Sequence, residues 1–143
     1  MTAQTPPPVI GVDDVTPSTR QGGRTRALLT PTSAGATGGF LGTLDLGPGE
    51  RISEHYHPYS DKYLYAVAGS VVVEVDGHEI TLGTDQALLV TRGMRHRFHN
   101  RTEAPARLVF QISPLAPRPD LGHVDTEPVP RPQDAPPTVG GVR

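Results

Sequence analysis

Apolar and polar residues alternate along the chain over short runs, and the clearest of these is VVVEVDGHEITL. Val71, Val73 and Val75 fall on one face of an extended segment, because successive side chains of a strand point to opposite faces. Asp76 and Gly77 then separate two strand-like runs, which is typical of a two-residue hairpin turn. The pattern therefore predicts a β-hairpin with one buried face.

Short runs of the same kind recur along the middle of the chain, separated by Gly and Asx turns. Further strands are predicted over residues 38–46, 51–57, 62–67, 86–90, 96–100 and 107–112. No segment carries a convincing helical period. This order of elements predicts an all-β single domain, an antiparallel sandwich or jelly-roll barrel.

Prolines concentrate at both ends, with four in residues 1–20 and eight in residues 114–143. Segments rich in proline lack backbone donors and favour extended conformations. We therefore expect an extended or disordered N-terminal arm over residues 1–24, a compact barrel over residues 25–115 and a proline-rich C-terminal tail over residues 116–143.

Composition narrows the classes of partner and ligand. The net charge of −2 argues against a protein that binds nucleic acid or anionic membranes. The N-terminus has no basic region followed by an apolar run, so we expect a cytoplasmic protein. Because the chain has no cysteine, a metal would have to bind histidine, carboxylate or backbone oxygen.

The candidate chemistry starts with His55 and His57, which are two residues apart in a predicted strand. Both side chains project to the same face of an extended segment, so their imidazoles can converge on one point. Two neutral imidazoles placed in this way form half of a metal shell. Lys62, the only lysine of the chain, follows closely where a metal site would more naturally use a carboxylate.

Two segments, GERISEHYHPYSDKYLYAVAG from Gly49 and TRGMRHRFHN from Thr91, resemble the two cupin motifs. In the first motif a glycine precedes a His-x-His pair, a glutamate usually follows, and a second glycine ends the motif. The second motif has a proline, a glycine, a histidine and an asparagine. The positions that match are Gly49, His55, His57, Gly69, Gly93, His96 and Asn100. The departures are Lys62 at the glutamate position and Thr91 at the proline position.

The resemblance implies a small cupin jelly-roll barrel in which His55, His57 and His96 bind a metal. Two phrases, ERISEHYHPYS and SPLAPRPDLGHVDTEP, also look like the small cupin cyclases of bacterial aromatic polyketide pathways, the tetracenomycin and resistomycin type. That resemblance implies a poly-β-keto substrate, either free or attached to an acyl carrier protein. It also implies that other polyketide synthase components are partners.

The lysine at the glutamate position changes the expected metal. Three histidines with open positions suit Lewis-acid zinc, whereas histidines with a carboxylate suit redox metals. We therefore predict zinc, with iron, manganese and nickel as alternatives. The fourth ligand is left open between His123, His99, His78, Asp61 and water, with His123 in the tail phrase taken as the candidate.

Three residues are candidates for the catalytic work beside the metal. Lys62 either turns outward to solvent or acts as a general base or hydrogen-bond donor in the site. Asp61 turns inward if a small bulge interrupts the strand. Tyr59 lies in the loop after His57, where it can line the mouth of a barrel.

The resulting hypothesis is a metal-dependent cyclase that directs aldol closure of a poly-β-keto chain. The alternatives are an oxygenase or dioxygenase of the same fold acting on an aromatic intermediate, and a cupin that binds a ligand without catalysis. A homodimer is expected, because pairing between subunits covers the sheet edges that a jelly roll leaves open.

Overall fold

The fold was established from a computed structural model, which describes residues 6–139. Ten strands follow one another along this range. They are β1 (Arg24–Leu29), β2 (Phe40–Leu46), β3 (Arg51–Tyr56), β4 (Asp61–Ala68), β5 (Ser70–Val75), β6 (His78–Gly83), β7 (Ala87–Val90), β8 (His96–His99), β9 (Ala106–Ser113) and β10 (Val124–Asp125). The helical elements are one α-helical turn, α1 (Pro31–Ala34), and 3-10 turns at Val12–Asp14 and Pro119–Leu121.

The strands form two five-stranded antiparallel sheets, in the orders β1-β2-β9-β4-β7 and β10-β3-β8-β5-β6. The all-β jelly-roll prediction is thus confirmed. Each strand predicted from sequence is present, with ends that differ by at most two residues. Among the described residues, no helix is long and apolar enough to cross a membrane.

The hydrophobic core lies between the two sheets and is built from the inward positions of the alternating strands. Val71 and Val73 are fully buried, as the hairpin pattern predicts, and Asp76 and Gly77 form its turn with positive φ angles of 47° and 84°. Phe98 on β8 is also fully buried and lies opposite Val73 in the register. This core holds the two sheets against each other, and a cavity lies beside the core.

Two strands were not predicted, β1 and β10. β1 carries the sequence RTRALL, in which arginines interrupt the apolar positions, and only Ala27 and Leu28 are buried. β10 has two residues and exists because Val124 and Asp125 pair with Tyr56 and His55 of β3. Neither has the alternation that marks a strand in isolation.

The tail runs against the barrel over its described residues. Besides the β10 pairing, Thr126 donates its backbone N–H to the Glu54 carbonyl at 3.1 Å, and Glu54 donates its own N–H to the Glu127 carboxylate at 2.6 Å. The Arg97 guanidinium lies 3.2 Å from the same Glu127 carboxylate. These contacts pack the described part of the tail onto the barrel.

Candidate metal and substrate site

A β-bulge in β3 directs the first two histidines into the barrel. The register with β8 shifts between Ile52 and His55, so that Ile52 and Ser53 are both buried and the inward face passes from even to odd positions. His55 and His57 then both point inward, with 2% and 6% of their surface exposed. Strict alternation from Ile52 would have turned both imidazoles toward solvent.

Two other segments bring further histidines next to His55. His96 on β8 pairs with His55 in the register, and their ring centroids are 4.3 Å apart. His123 immediately precedes β10, and its ring stacks on His55 at 4.5 Å. The structure thus brings together the four histidines that the sequence analysis selected.

Backbone carbonyls fix the orientation of three of the rings. The Nδ1 atoms of His55, His57 and His96 lie 2.8, 2.9 and 3.1 Å from the carbonyl oxygens of Ser53, Gly122 and Met94. A carbonyl oxygen only accepts, so each Nδ1 carries the hydrogen and each Nε2 keeps its lone pair. Carbonyl partners of this kind orient the histidine ligands of metal sites.

The donor set fits a divalent metal. One nitrogen each of His55, His57 and His123 lies within 4.8 Å of the others. The Nε2 atom of His57 is buried and has no hydrogen-bond partner in the part of the chain that the structure describes. A buried lone pair without a partner is costly, and coordination would satisfy it. Neutral imidazoles suit zinc and also iron or nickel.

Lys62 points into the barrel beside these histidines and is 4% exposed. Its Nζ lies 3.4 Å from His55 Nε2 and 3.3 Å from His96 Nε2, and it donates to both lone pairs. Burial lowers the pKa of the Lys62 amine to about 7. The outward orientation is therefore not the one adopted.

The histidines are held in their neutral form. Burial, followed by the nearby Lys62, lowers the pKa values of His55, His57 and His96 well below the usual range. Burial also lowers the pKa of His123, although its contact with Asp125 at 2.7 Å opposes the shift. Neutral imidazole is the form that binds metal.

The other two candidate catalytic residues lie outside the histidine cluster. The Asp61 carboxylate accepts the Arg92 backbone N–H at 2.9 Å and lies 3.7 Å from the Arg92 guanidinium, so it stays on the outer side of β4. Strand β4 starts at Asp61 without the bulge that would have turned it inward. Tyr59 is 42% exposed and does not line the cavity.

The remaining candidate histidines also lie apart from the cluster. His78 is exposed at the start of β6, immediately after the hairpin turn. His99 lies on the outer face of β8, where the Arg101 guanidinium donates to its Nδ1 at 3.2 Å. Strand alternation places His99 opposite to His96, as expected.

Lys62 and three of the histidines, His55, His57 and His123, line a cavity of about 670 Å³. Its barrel wall is largely apolar and includes Phe40, Leu44, Ile52, Phe110 and Ile112. A volume of this size is in the range of small-molecule sites, and its mixture of apolar wall and convergent nitrogens is typical of them.

The C-terminal tail supplies the opposite wall of the cavity, which sequence reasoning missed except for His123. Leu115 at the end of the barrel range also lines it, and the tail residues that line it are Ala116, Pro119, Asp120, Gly122, His123, Asp125, Pro136, Pro137 and Val139. Gln21 from the N-terminal segment contacts His123 at 3.0 Å. No local pattern marks these residues, because they meet the barrel only through tertiary contacts.

The chain is similar in sequence to known proteins. Residues 42–112 match the model of the Cupin domain. The tetracenomycin polyketide synthase protein TcmJ of Streptomyces glaucescens is 67% identical over 92% of this chain and 89% of that protein. Protein SchB of Streptomyces halstedii is 57% identical over 83% of this chain and 86% of that protein.

A solved structure extends the likeness to the whole fold. The polyketide cyclase RemF from Streptomyces resistomycificus superposes with a TM-score of 0.67 at 17% identity, covering 92% of this chain and 90% of that one. At this identity the likeness concerns the fold.

Proposed function

The chain belongs to the cupin family, and on this premise we propose that it is a metal-dependent cyclase that directs aldol closure of a poly-β-keto chain. A relative at 67% identity is named as a polyketide synthase protein, and a protein of the same fold is named as a polyketide cyclase. Polyketide synthase components, including a carrier protein that presents the chain, are its proposed partners in the cytoplasm.

The observation that carries the proposal is the buried Nε2 of His57, which has no hydrogen-bond partner among the described residues and lies beside His55 and His123 at the wall of an apolar cavity. We propose that these three histidines, with His96 beside them, hold one divalent metal. Zinc is the preferred ion because no carboxylate joins the cluster among the described residues, and iron, manganese and nickel are the alternatives.

A Lewis acid bound at these nitrogens would polarise a ketone and stabilise its enolate. The side chains of the protein supply the proton transfer and the positioning of the substrate. Lys62 is the candidate for moving the proton of the carbon that reacts, because its amine is in the cavity whereas Asp61 and Tyr59 are not. The apolar walls hold the substrate in one conformation, which brings the two reacting carbons together and excludes water.

Elemental mass spectrometry of the full chain, purified without added metal, tests the site. We expect near-stoichiometric zinc in the parent protein and its loss in His57→Ala. His78→Ala is the matched control, because His78 is exposed on the hairpin, and it should retain the metal.

Ring closure by the same proteins, measured as product formed in a reconstituted polyketide synthase reaction, tests the activity. His57→Ala should lose closure and His78→Ala should keep it. A His57→Ala protein without metal that closes the ring at the parent rate would contradict the proposal. Iron, manganese or nickel in place of zinc would overturn the metal assignment alone.

A further inference from the structure

Charged side chains gather around Arg97 on the outer face of the sheet whose inner face carries the histidines. The Arg97 guanidinium donates to the Glu54 carboxylate at 3.2 Å and lies 3.2 Å from the Glu127 carboxylate. The carboxylate of Glu74 on β5 lies 4.0 Å from its Nε atom. Glu54, Arg97 and Glu127 together form what we call the outer clamp. The outer clamp connects β3 and β8 to the tail on the side away from the cavity.

Two members of the outer clamp are direct sequence neighbours of cavity histidines. Glu54 precedes His55 on β3, and Arg97 follows His96 on β8. Successive side chains of a strand point to opposite faces, so each clamp residue and its histidine neighbour share a short stretch of backbone. A contact between the two outward side chains therefore also restrains the two strands from which the histidines project.

The tail reaches this pair of strands through two adjacent residues. The Glu127 carboxylate accepts the Glu54 backbone N–H at 2.6 Å with one oxygen and contacts Arg97 with the other. Thr126 donates its backbone N–H to the Glu54 carbonyl at 3.1 Å and its hydroxyl to the Glu54 carboxylate at 2.9 Å. Hydrogen bonds with an ionised partner are stronger than neutral ones, so the Glu127 carboxylate is the main attachment of the tail here.

The tail residues just before this attachment face the cavity. The His123 ring stacks on His55, with the ring centroids 4.5 Å apart. The Gly122 carbonyl oxygen lies 2.9 Å from Nδ1 of His57 and orients that ring. Between these residues and the outer clamp lies only β10, which has two residues. A strand this short is weakly held by its own pairing, so the contacts of Glu127 matter for its position.

We propose that Glu127 is a positioning residue, which holds residues 122–125 of the tail against the barrel through the outer clamp. Its carboxylate thereby fixes the His123 ring and the Gly122 carbonyl beside His57, although it lies on the other side of the sheet. The effect on metal binding and ring closure rests on the proposed function, whereas the attachment of the tail does not.

Hydrogen exchange measured by mass spectrometry tests the attachment in the full chain after treatment with a chelator. Glu127→Ala should speed amide exchange in residues 122–126 by about tenfold or more, because a hydrogen bond and an ion contact of one carboxylate are lost. Exchange in β5 and β6 should not change, since the buried core cluster lies within Leu44 to Ile112. For the same reason the variant should fold, which circular dichroism checks.

Glu79→Ala is the matched control. Glu79 on β6 belongs to the same sheet and pairs with the Arg101 guanidinium, and its hydrogen bonds reach no tail residue among those described. This variant loses an ion pair of the same kind and should exchange as the parent does in residues 122–126. Equal acceleration in Glu79→Ala and Glu127→Ala would overturn the proposal.

Zinc affinity of the same variants, measured by chelator competition, tests the effect on the cavity. Glu127→Ala should lower this affinity by about tenfold, the loss that is usual when support of a metal ligand is removed. A role in stability alone would lower the free energy of unfolding and leave the zinc affinity of the folded protein unchanged. Glu127→Gln keeps an oxygen that accepts from Glu54, so it should lie between the parent and Glu127→Ala in both measurements.

The outcomes separate this proposal from the cyclase proposal. Unchanged exchange in residues 122–126 of Glu127→Ala overturns the positioning role, even if the parent protein binds zinc and closes a ring. Faster exchange with unchanged zinc affinity overturns it as well. Faster exchange with weaker zinc binding supports it, including when ring closure is not found. If the parent protein binds no zinc, the metal site of the proposed function fails, and the exchange of residues 122–126 alone decides the attachment.

Discussion

Individual side chains decide the chemistry of this barrel, and the orientation of Lys62 shows what the sequence predicts at this scale. Lys62 has the same strand parity as Leu64 and Ala66, which are both buried. That parity indicates an inward lysine. However, Tyr63 and Tyr65 on the other parity are also apolar, so the sequence of β4 did not distinguish its two faces.

Burial of Lys62 predicts a pH dependence of stability in the chelator-treated protein. The pKa of Lys62 falls from 10.5 to about 7 on folding. Between these values the unfolded chain binds more protons than the folded one, so the free energy of unfolding rises with pH, by up to about 1.4 kcal/mol per pH unit. This contribution is absent in Lys62→Met.

Urea denaturation of both proteins between about pH 7.5 and pH 9.5 measures it, and the parent should gain roughly 2–3 kcal/mol relative to Lys62→Met over this window. Parallel stability profiles of the two proteins would show that Lys62 keeps its ordinary pKa in the fold.

At the scale of elements, turns and bulges position the site. Gly69 joins β4 to β5 with a φ of 75°, and a Cβ there would lie 2.5 Å from the Pro105 carbonyl oxygen and 2.8 Å from Ala106 Cα. Gly77 in the hairpin has a φ of 84° but no heavy atom of the described residues within 4 Å of such a Cβ. Both glycines have left-handed backbone, and only Gly69 is also enclosed.

Replacing each of these two glycines with alanine should lower the free energy of unfolding by different amounts. Gly77→Ala should lower the free energy of unfolding by about 1–2 kcal/mol, the cost of left-handed backbone. Gly69→Ala should cost roughly 1–3 kcal/mol more, because the neighbouring strand must move. Chemical denaturation of the two variants measures both, and equal losses would mean that β9 yields without cost.

The tail is the second element whose removal should affect the site more than the fold. The core cluster lies within Leu44 to Ile112, so deletion of residues 116–143 should leave the barrel folded. The deletion removes His123 and the Gly122 carbonyl that orients His57, so zinc affinity should fall by about tenfold or more.

Chelator competition measures this affinity, and circular dichroism reports the fold. His123→Ala in the full chain separates loss of the ligand from loss of the wall, because it leaves the Gly122 carbonyl in place. An unchanged zinc affinity after the deletion would show that the tail takes no part in the proposed metal site.

At the scale of the whole molecule, one sheet exposes an apolar outer face near its edge. The outer-face patch consists of Tyr63, Tyr65, Val67 and Leu89, which are 47%, 43%, 45% and 46% exposed. Strand β7 forms the edge of this sheet and pairs with β4 alone. Patches of this kind, next to an open edge, are typical of surfaces that a second subunit covers.

The expected homodimer is therefore predicted to use the outer-face patch. Leu89→Glu should shift the protein toward monomer in sedimentation velocity. Val9→Glu is the control, because Val9 is 96% exposed and belongs to no strand, and it should sediment as the parent does. A Leu89→Glu protein that remains dimeric would place the interface elsewhere.

The sequence by itself determined the fold class, the positions of most strands and the histidines that meet in the cavity. Period-two alternation and turn residues are local signals, and they are sufficient to mark strands such as β5 and β8. The motif resemblance added that His55, His57 and His96 belong together, whereas His123 is one of several candidates that the sequence leaves open.

Only the tertiary structure decided the inward turn of Lys62, the exclusion of Asp61 and the tail wall of the cavity. The β3 bulge is defined by its register with β8, and β10 exists only by pairing with β3. Such features depend on contacts between segments far apart in sequence, so no local pattern encodes them. The histidine cluster and the amine beside it are products of this long-range packing.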